Sequence, residues 1–246
     1  MLLELVFVAG LWAGLQNALA GGGSFVTLPA LIISGMSPLA ANITSTVALF
    51  PGQVVSGLAG RKLVTGAGTL SFRTLFIVSV LGGALGGLLL LNTPSSVFAR
   101  LVPWLVLFAT VIFAWGSFFR KSHGAAARLG PVGAAIAQFC IAIYGGYFGG
   151  GIGFLMMAAL TMAGLSTRNA GATKNALGGV MNAAAVLLFV TSPEVHWLSA
   201  LVLGVGAIAG GLAGAWALHR VNEKLLRGAV VAIGVCLTIG LFMKPI

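Results

Sequence analysis

Carboxylates are almost missing from this chain. Glu4, Glu194 and Glu223 are the only acids in 246 residues, and residues of either charge make up 7% of the total. Soluble domains carry about 25% charged residues, so packing as a water-soluble domain is excluded. Cysteine is equally scarce. Cys140 and Cys236 each stand alone in an apolar stretch, which reads as core packing and implies neither a disulfide framework nor a metal site. No stretch alternates apolar and polar residues in the manner of a membrane β-barrel. The opening Met1-Leu2-Leu3-Glu4 lacks the basic region of a cleaved signal peptide.

What is present is apolar. Hydrophobic residues make up 59% of the chain and mean hydropathy is +1.10. Continuous runs at 75–91, 97–119 and 198–218 are each long enough to cross a ~30 Å hydrocarbon core as helices. The lipid bilayer is therefore the surrounding medium. A net charge of +10 raises the question of nucleic acid, but the basic residues lie in short loops between spans. Retention of Lys and Arg in cytoplasmic loops accounts for them without a nucleic-acid partner.

The chain also repeats itself. A shift of 129 residues lays Gly21-Gly22-Gly23-Ser24-Phe25 on Gly150-Gly151-Ile152-Gly153-Phe154. In the same register Gly35 falls on Gly164, Ser37 on Ser166, Ala41 on Ala170, Thr44 on Thr173, Thr46 on Asn175 and Gln53 on Asn182. Matches among Ser, Thr and amide positions at one fixed offset exceed what abundant Gly and Ala produce by coincidence.

This register predicts an all-α polytopic membrane fold of two repeats, 1–120 and 131–246, joined by a cytoplasmic linker at 121–130. Each repeat opens with a glycine-broken hairpin, 2–34 and 131–164, whose second arm is too short to span. Three transmembrane helices follow in each, at 38–60, 72–91 and 98–119, then 167–190, 198–218 and 225–243. Ser37-Pro38 and Ser166-Thr167 supply helix N-caps for the first of these. If each hairpin is re-entrant, each repeat makes an odd number of net crossings and the two are inverted. One side then receives ten of the basic loop residues and the other only Arg100 and Lys244, whereas single-crossing hairpins give seven against five. The positive-inside rule selects the inverted arrangement, with both termini periplasmic.

Inverted repeats with broken helices place their ligands near the midplane, where half-helix N-termini direct free N–H groups at anions. Gly22, Gly23, Gly150 and Gly151 mark those termini. Asn42, Thr46 and Gln53 share one face of the first capped helix, and Asn175 and Asn182 repeat the last two positions. Thr44, Ser45, Thr173 and Lys174 lie about two turns inside their caps, at a depth of ~10–12 Å. Hydroxyls at such depth often bond their own helix backbone. Lys174 shifts the balance, since a lysine near the bilayer centre costs at least ~2.5–3.5 kcal/mol and marks function by default. Its alternative is snorkelling to the surface. With no carboxylate in the expected core, the set suits a small anion and requires no cofactor. The three acids, with His123, His196 and His219, fall at segment ends, so neither an intramembrane enzyme nor a proton relay finds its residues at depth. A passive anion channel could use the same residues as a carrier. Exposed Gly-x-x-x-Gly faces leave a homodimer open.

The set Gly14…Gly21-Gly22-Gly23…Pro29…Leu31…Gly35 and Ala41…Thr44-Ser45, echoed by Gly149-Gly150-Gly151-Ile152-Gly153 and Ala170…Thr173-Lys174, resembles the sulfite exporter TauE/SafE family over essentially the whole chain. The resemblance implies movement of small sulfur oxyanions or organosulfonates, usually outward across the bacterial inner membrane. One departure is that Ala158 stands in the second repeat where Pro29 stands in the first, which makes the two half-sites unequal.

Overall fold

The computed structural model describes residues 2–19, 22–119, 129–217 and 223–243. Most of the expected linker, Gly21, His123, His219, Arg220 and both extreme termini lie outside the described residues. The described chain is all-α. The first half contains α1 (Leu3–Leu19), α2 (Ser24–Ile33), α3 (Pro38–Ala59), α4 (Phe72–Leu91) and α5 (Ser95–Ala114), the last continuing into a π-helical turn, Trp115–Phe119. The second contains α6 (Pro131–Tyr147), α7 (Ile152–Met162), α8 (Thr167–Phe189), α9 (Trp197–Ala217) and α10 (Glu223–Met243). Segments Phe72–Leu91 and Ser95–Ser117 are long and apolar enough to cross a bilayer by themselves, and the chain as a whole is a polytopic membrane protein.

Helix ends follow from local chemistry. The Ser37 hydroxyl accepts from Ala40 N at 3.1 Å, and the Ser166 hydroxyl accepts from Asn169 N at 3.3 Å, so both expected caps form. The short helices α2 and α7 stop in the same way. Gly35 and Gly164 take φ of +100° and +98°, while Met36 N donates to Leu31 O and Leu165 N to Leu160 O. Such a left-handed stop satisfies the last carbonyls of a helix.

Large residues face outward and small ones inward, as lipid replaces water around the fold. On α4, Phe76, Ile77, Leu81, Leu85 and Leu88 are exposed, whereas Gly82, Gly83, Gly86 and Gly87 are buried. A Cβ on Gly82 or Gly86 would run into the backbone of α6, and one on Gly83 into that of α8. Gly10 and Gly14 of α1 lie against the backbone of Leu203 and Ala207 in α9, and Gly206 and Gly210 of α9 against that of Phe7 and Leu11, in an equally close seam. The Gly-x-x-x-Gly faces expected to be free for a homodimer are thus spent inside the chain. Cys140 and Cys236 are exposed rather than buried, because an apolar sequence context does not distinguish a core from a lipid-facing surface.

The packing is reciprocal between halves. Helix α1 lies along α9 and α6 along α4, α3 touches α9 and α8 touches α4, and α3 packs on α8 as α5 packs on α10. Gly60 meets Ala172, Gly57 meets Ala176, and Gly179 meets Gln53, so α3 and α8 run antiparallel. The second opening hairpin closes on itself. Leu129 N, just before α6, donates to Met162 O at the end of α7, at 3.0 Å.

Candidate functional site

The two glycine breaks take equivalent shapes. Gly22 has φ +88° and Gly151, its counterpart in the register, has φ +73°, a region that L side chains rarely adopt. Each starts a half-helix, and both pack on α5. A Cβ on Gly22 would sit 2.8 Å from the Phe113 ring, and one on Gly151 3.2 Å from Ala109 O. Ser24 and Phe25 from the first break and Phe148 and Gly150 from the second line one cavity of about 10 Å³. That is room for about one water.

Beyond the breaks the halves differ. In the first, Gly23 N donates to Asn17 Oδ1 at 2.8 Å, and the Thr27 and Ser45 hydroxyls share a 2.6 Å hydrogen bond between α2 and α3. In the second, the corresponding positions are Gly146, Met156 and Lys174. No side chain caps α7. Lys174 is half-buried, and among the described residues its ammonium has no hydrogen-bond or ion-pair partner. A Cβ on Gly153, in the first turn of α7, would lie 3.7 Å from Lys174 Nζ. Neither cap glycine has a side chain to offer, but in the first half Asn17 accepts from Gly23 N and Ser45 stands where Lys174 stands in the second, so a free ammonium lies beside a half-helix N-terminus in the second half only. Both are positive.

Several other expected residues are occupied elsewhere. The Thr44 hydroxyl accepts from His196 N at 3.1 Å and lies 3.4 Å from Glu194 O. Thr173 makes the matching pair, accepting from Thr65 N at 3.1 Å and donating to Thr65 O at 3.2 Å. Each threonine ties its helix to an inter-helix loop. Asn42 Nδ2 donates to Tyr147 O at 3.1 Å, and Thr46 returns its hydroxyl to Asn42 O at 2.9 Å, the backbone bond open to any hydroxyl in a helix. Asn175 is half-buried beside Lys174. Asn182 Nδ2 donates to Gln53 Oε1 at 2.6 Å, joining two residues 129 apart. Among the described residues Asn182 Oδ1 is buried with no hydrogen-bond partner.

Sequence reasoning missed Asn17, Thr27 and Gly153. Their signal lay in the register itself, as the aligned pairs Asn17/Gly146, Thr27/Met156 and Ser24/Gly153 show where the halves diverge.

Over residues 6–241 the chain matches the family described as Sulfite exporter TauE/SafE. It is 29% identical over 237 residues to "Probable membrane transporter protein YfcA" of Escherichia coli (strain K12), covering 95% of this chain and 87% of that one. It is 28% identical over 243 residues to a "Probable membrane transporter protein" of Haemophilus influenzae, covering 96% and 93%. A third relative, "Probable membrane transporter protein ORF9" of a Sinorhizobium species, is 28% identical over 261 residues, covering 99% and 94%. The family and these relatives are transporters rather than enzymes. With its all-helical membrane fold and a match along nearly its whole length, this chain belongs to the sulfite exporter TauE/SafE family of membrane transporters.

Proposed function

We propose that this transporter exports small sulfur-containing anions, sulfite or sulfonates, across the bacterial inner membrane by alternating access between two inverted repeats. The observation that carries the reading is Lys174, whose unpartnered ammonium stands beside the uncapped first turn of α7. At 1.5 Å per residue the 11 residues of α7 reach ~16 Å from their loop, about half of a ~30 Å core. An anion there meets a full positive charge and the partial charge of a helix terminus. Few other arrangements offset its dehydration.

The inverted arrangement is supported by the reciprocal packing of α1 on α9 and α6 on α4. It is supported further by the matched loop ties of Thr44 and Thr173 and by the Gln53–Asn182 bond. Residues related by a two-fold axis touch one another only near that axis, so the amide pair is the contact expected where such an axis runs. Export is the downhill direction for an anion, since an inside-negative potential contributes about 2.3 kcal/mol per charge per 100 mV. Family membership and the substrate in the family's description point to sulfur oxyanions.

The test has two arms. Purified protein is titrated with sulfite, thiosulfate and sulfoacetate while thermal unfolding is followed, and at least one should raise the midpoint. Proteoliposomes preloaded with that anion should then accumulate labelled anion against its gradient by counter-flow. No stabilisation by any of the three refutes the substrate class, and stabilisation without counter-flow makes the protein a channel.

A further inference from the structure

We infer that Phe113 is the gate of the transport path, a single aromatic ring closing the space between the two half-helix N-termini. Phe25 and Phe154 occupy equivalent positions in the repeat, each directly after a glycine break. Both rings meet Phe113 edge-on, at centroid distances of 5.7 Å and 4.6 Å. Phe113 is 1% exposed. Two glycines make room for the trio, since a Cβ on Gly22 would press on the Phe113 ring and one on Gly116 would enter the Phe154 ring.

Position along α5 shows what the ring separates. The small cavity touches α5 at Val106, the second break packs at Ala109, and the Phe154 ring covers Gly116. Phe113 stands between the cavity and the Phe154–Gly116 contact. The cavity, at about 10 Å³, admits nothing larger than a water, and Phe25, which lines it, is one of the two rings packed on Phe113, so a shift of Phe113 would free the Phe25 wall of the cavity. Immediately after Phe113 the helix widens into the π-helical turn Trp115–Phe119. Such turns are frequent at functional sites. The register partner of Phe113 is Phe242, which is 47% exposed and packs against Trp104 at 5.0 Å on the outer surface. Only one of the two equivalent rings therefore fills the centre, which is an asymmetry that a structural aromatic core does not need.

This inference rests on the proposed path between the half-helices, but its test uses no transported substrate. In a background with Cys140 and Cys236 replaced by serine, Gly153→Cys places a thiol on the Lys174 side, and Ser24→Cys places one at the cavity. A membrane-impermeant methanethiosulfonate bearing a sulfonate is applied to spheroplasts and to inside-out vesicles. From the side that modifies Gly153→Cys, Ser24→Cys should react at least ten-fold more slowly while Phe113 is present. Adding Phe113→Ala should bring the two rates within a few-fold of each other. Phe113→Leu, the variant to use if alanine impairs folding, should give an intermediate rate. Equal Ser24→Cys rates with and without the ring, in protein that elutes as a single species, would overturn the gate. A gate that opens on schedule in a protein that no sulfur anion stabilises would leave Phe113 in place and remove only the substrate class.

Discussion

Replacing Lys174 with methionine keeps most of the stem and removes one charge, and the structure allows its two consequences to be weighed separately. An anion about 4 Å from the ammonium, at an effective dielectric near 20, gains about 4 kcal/mol, against about 1 kcal/mol in water. Losing that difference costs about 3 kcal/mol, roughly a hundred-fold in Kd. The empty protein should respond in the opposite direction. An unpaired lysine at the bilayer centre costs ~2.5–3.5 kcal/mol. Lys174 is half-buried, so relief of about 1–2 kcal/mol is the expected gain for the variant without ligand. Thermal unfolding with and without sulfite reads both quantities in one experiment. The variant should unfold at a higher temperature than the parent when empty and show almost none of the parent's anion-induced rise. A normal anion-induced rise in Lys174→Met would mean that the ammonium only snorkels and that helix N–H groups hold the anion alone. Lys174→Arg should also bind poorly, because a wide planar fork replaces a compact charge in the space beside Gly153.

Other positions separate ligand contacts from structural ties. Thr44→Val and Thr173→Val each remove a hydroxyl bonded to a loop backbone and should lower stability by about 1–3 kcal/mol, with anion affinity in titrations unchanged. Gln53→Leu strands the buried Asn182 amide and should cost about 1–3 kcal/mol, and Asn182→Leu, which strands only the half-buried Gln53, should cost less. The double substitution should recover most of that loss, which a double-mutant cycle of unfolding midpoints measures. Gly14→Leu or Gly210→Leu drives a side chain into the facing backbone of the α1–α9 seam, and membrane abundance should collapse. With inverted repeats, cysteines placed near either terminus should be labelled from outside intact cells; protection of the C-terminus would break the topological argument.

Much of the architecture was legible because membrane insertion writes itself in composition. Scarce charge, long apolar runs and a fixed 129-residue register determined an all-helical membrane protein with two similar halves. Ser37 and Ser166 announced helix starts through side-chain chemistry that acts within one turn. Glycines 22, 35, 151 and 164 announced the breaks and stops through backbone conformations that other residues avoid. These are local effects, and a linear chain displays them directly. Which polar residue is free and which is tied is decided by distant partners. Thr44 and Thr173 are hydroxyls at depth in the sequence, and only the fold shows that each bonds a loop from the other half. Ser45 and Lys174 are equivalent in sequence, yet only the fold shows that Thr27 satisfies one and that the other stands open at α7. Phe113 carried no signal at all in a chain with 15 phenylalanines, since its position between Phe25 and Phe154 exists only when α2, α5 and α7 converge. The sequence by itself set the medium, the helices and the repeat, through hydropathy and short-range stereochemistry. The tertiary structure alone decided which groups remain without partners, because that depends on what each helix meets across the fold.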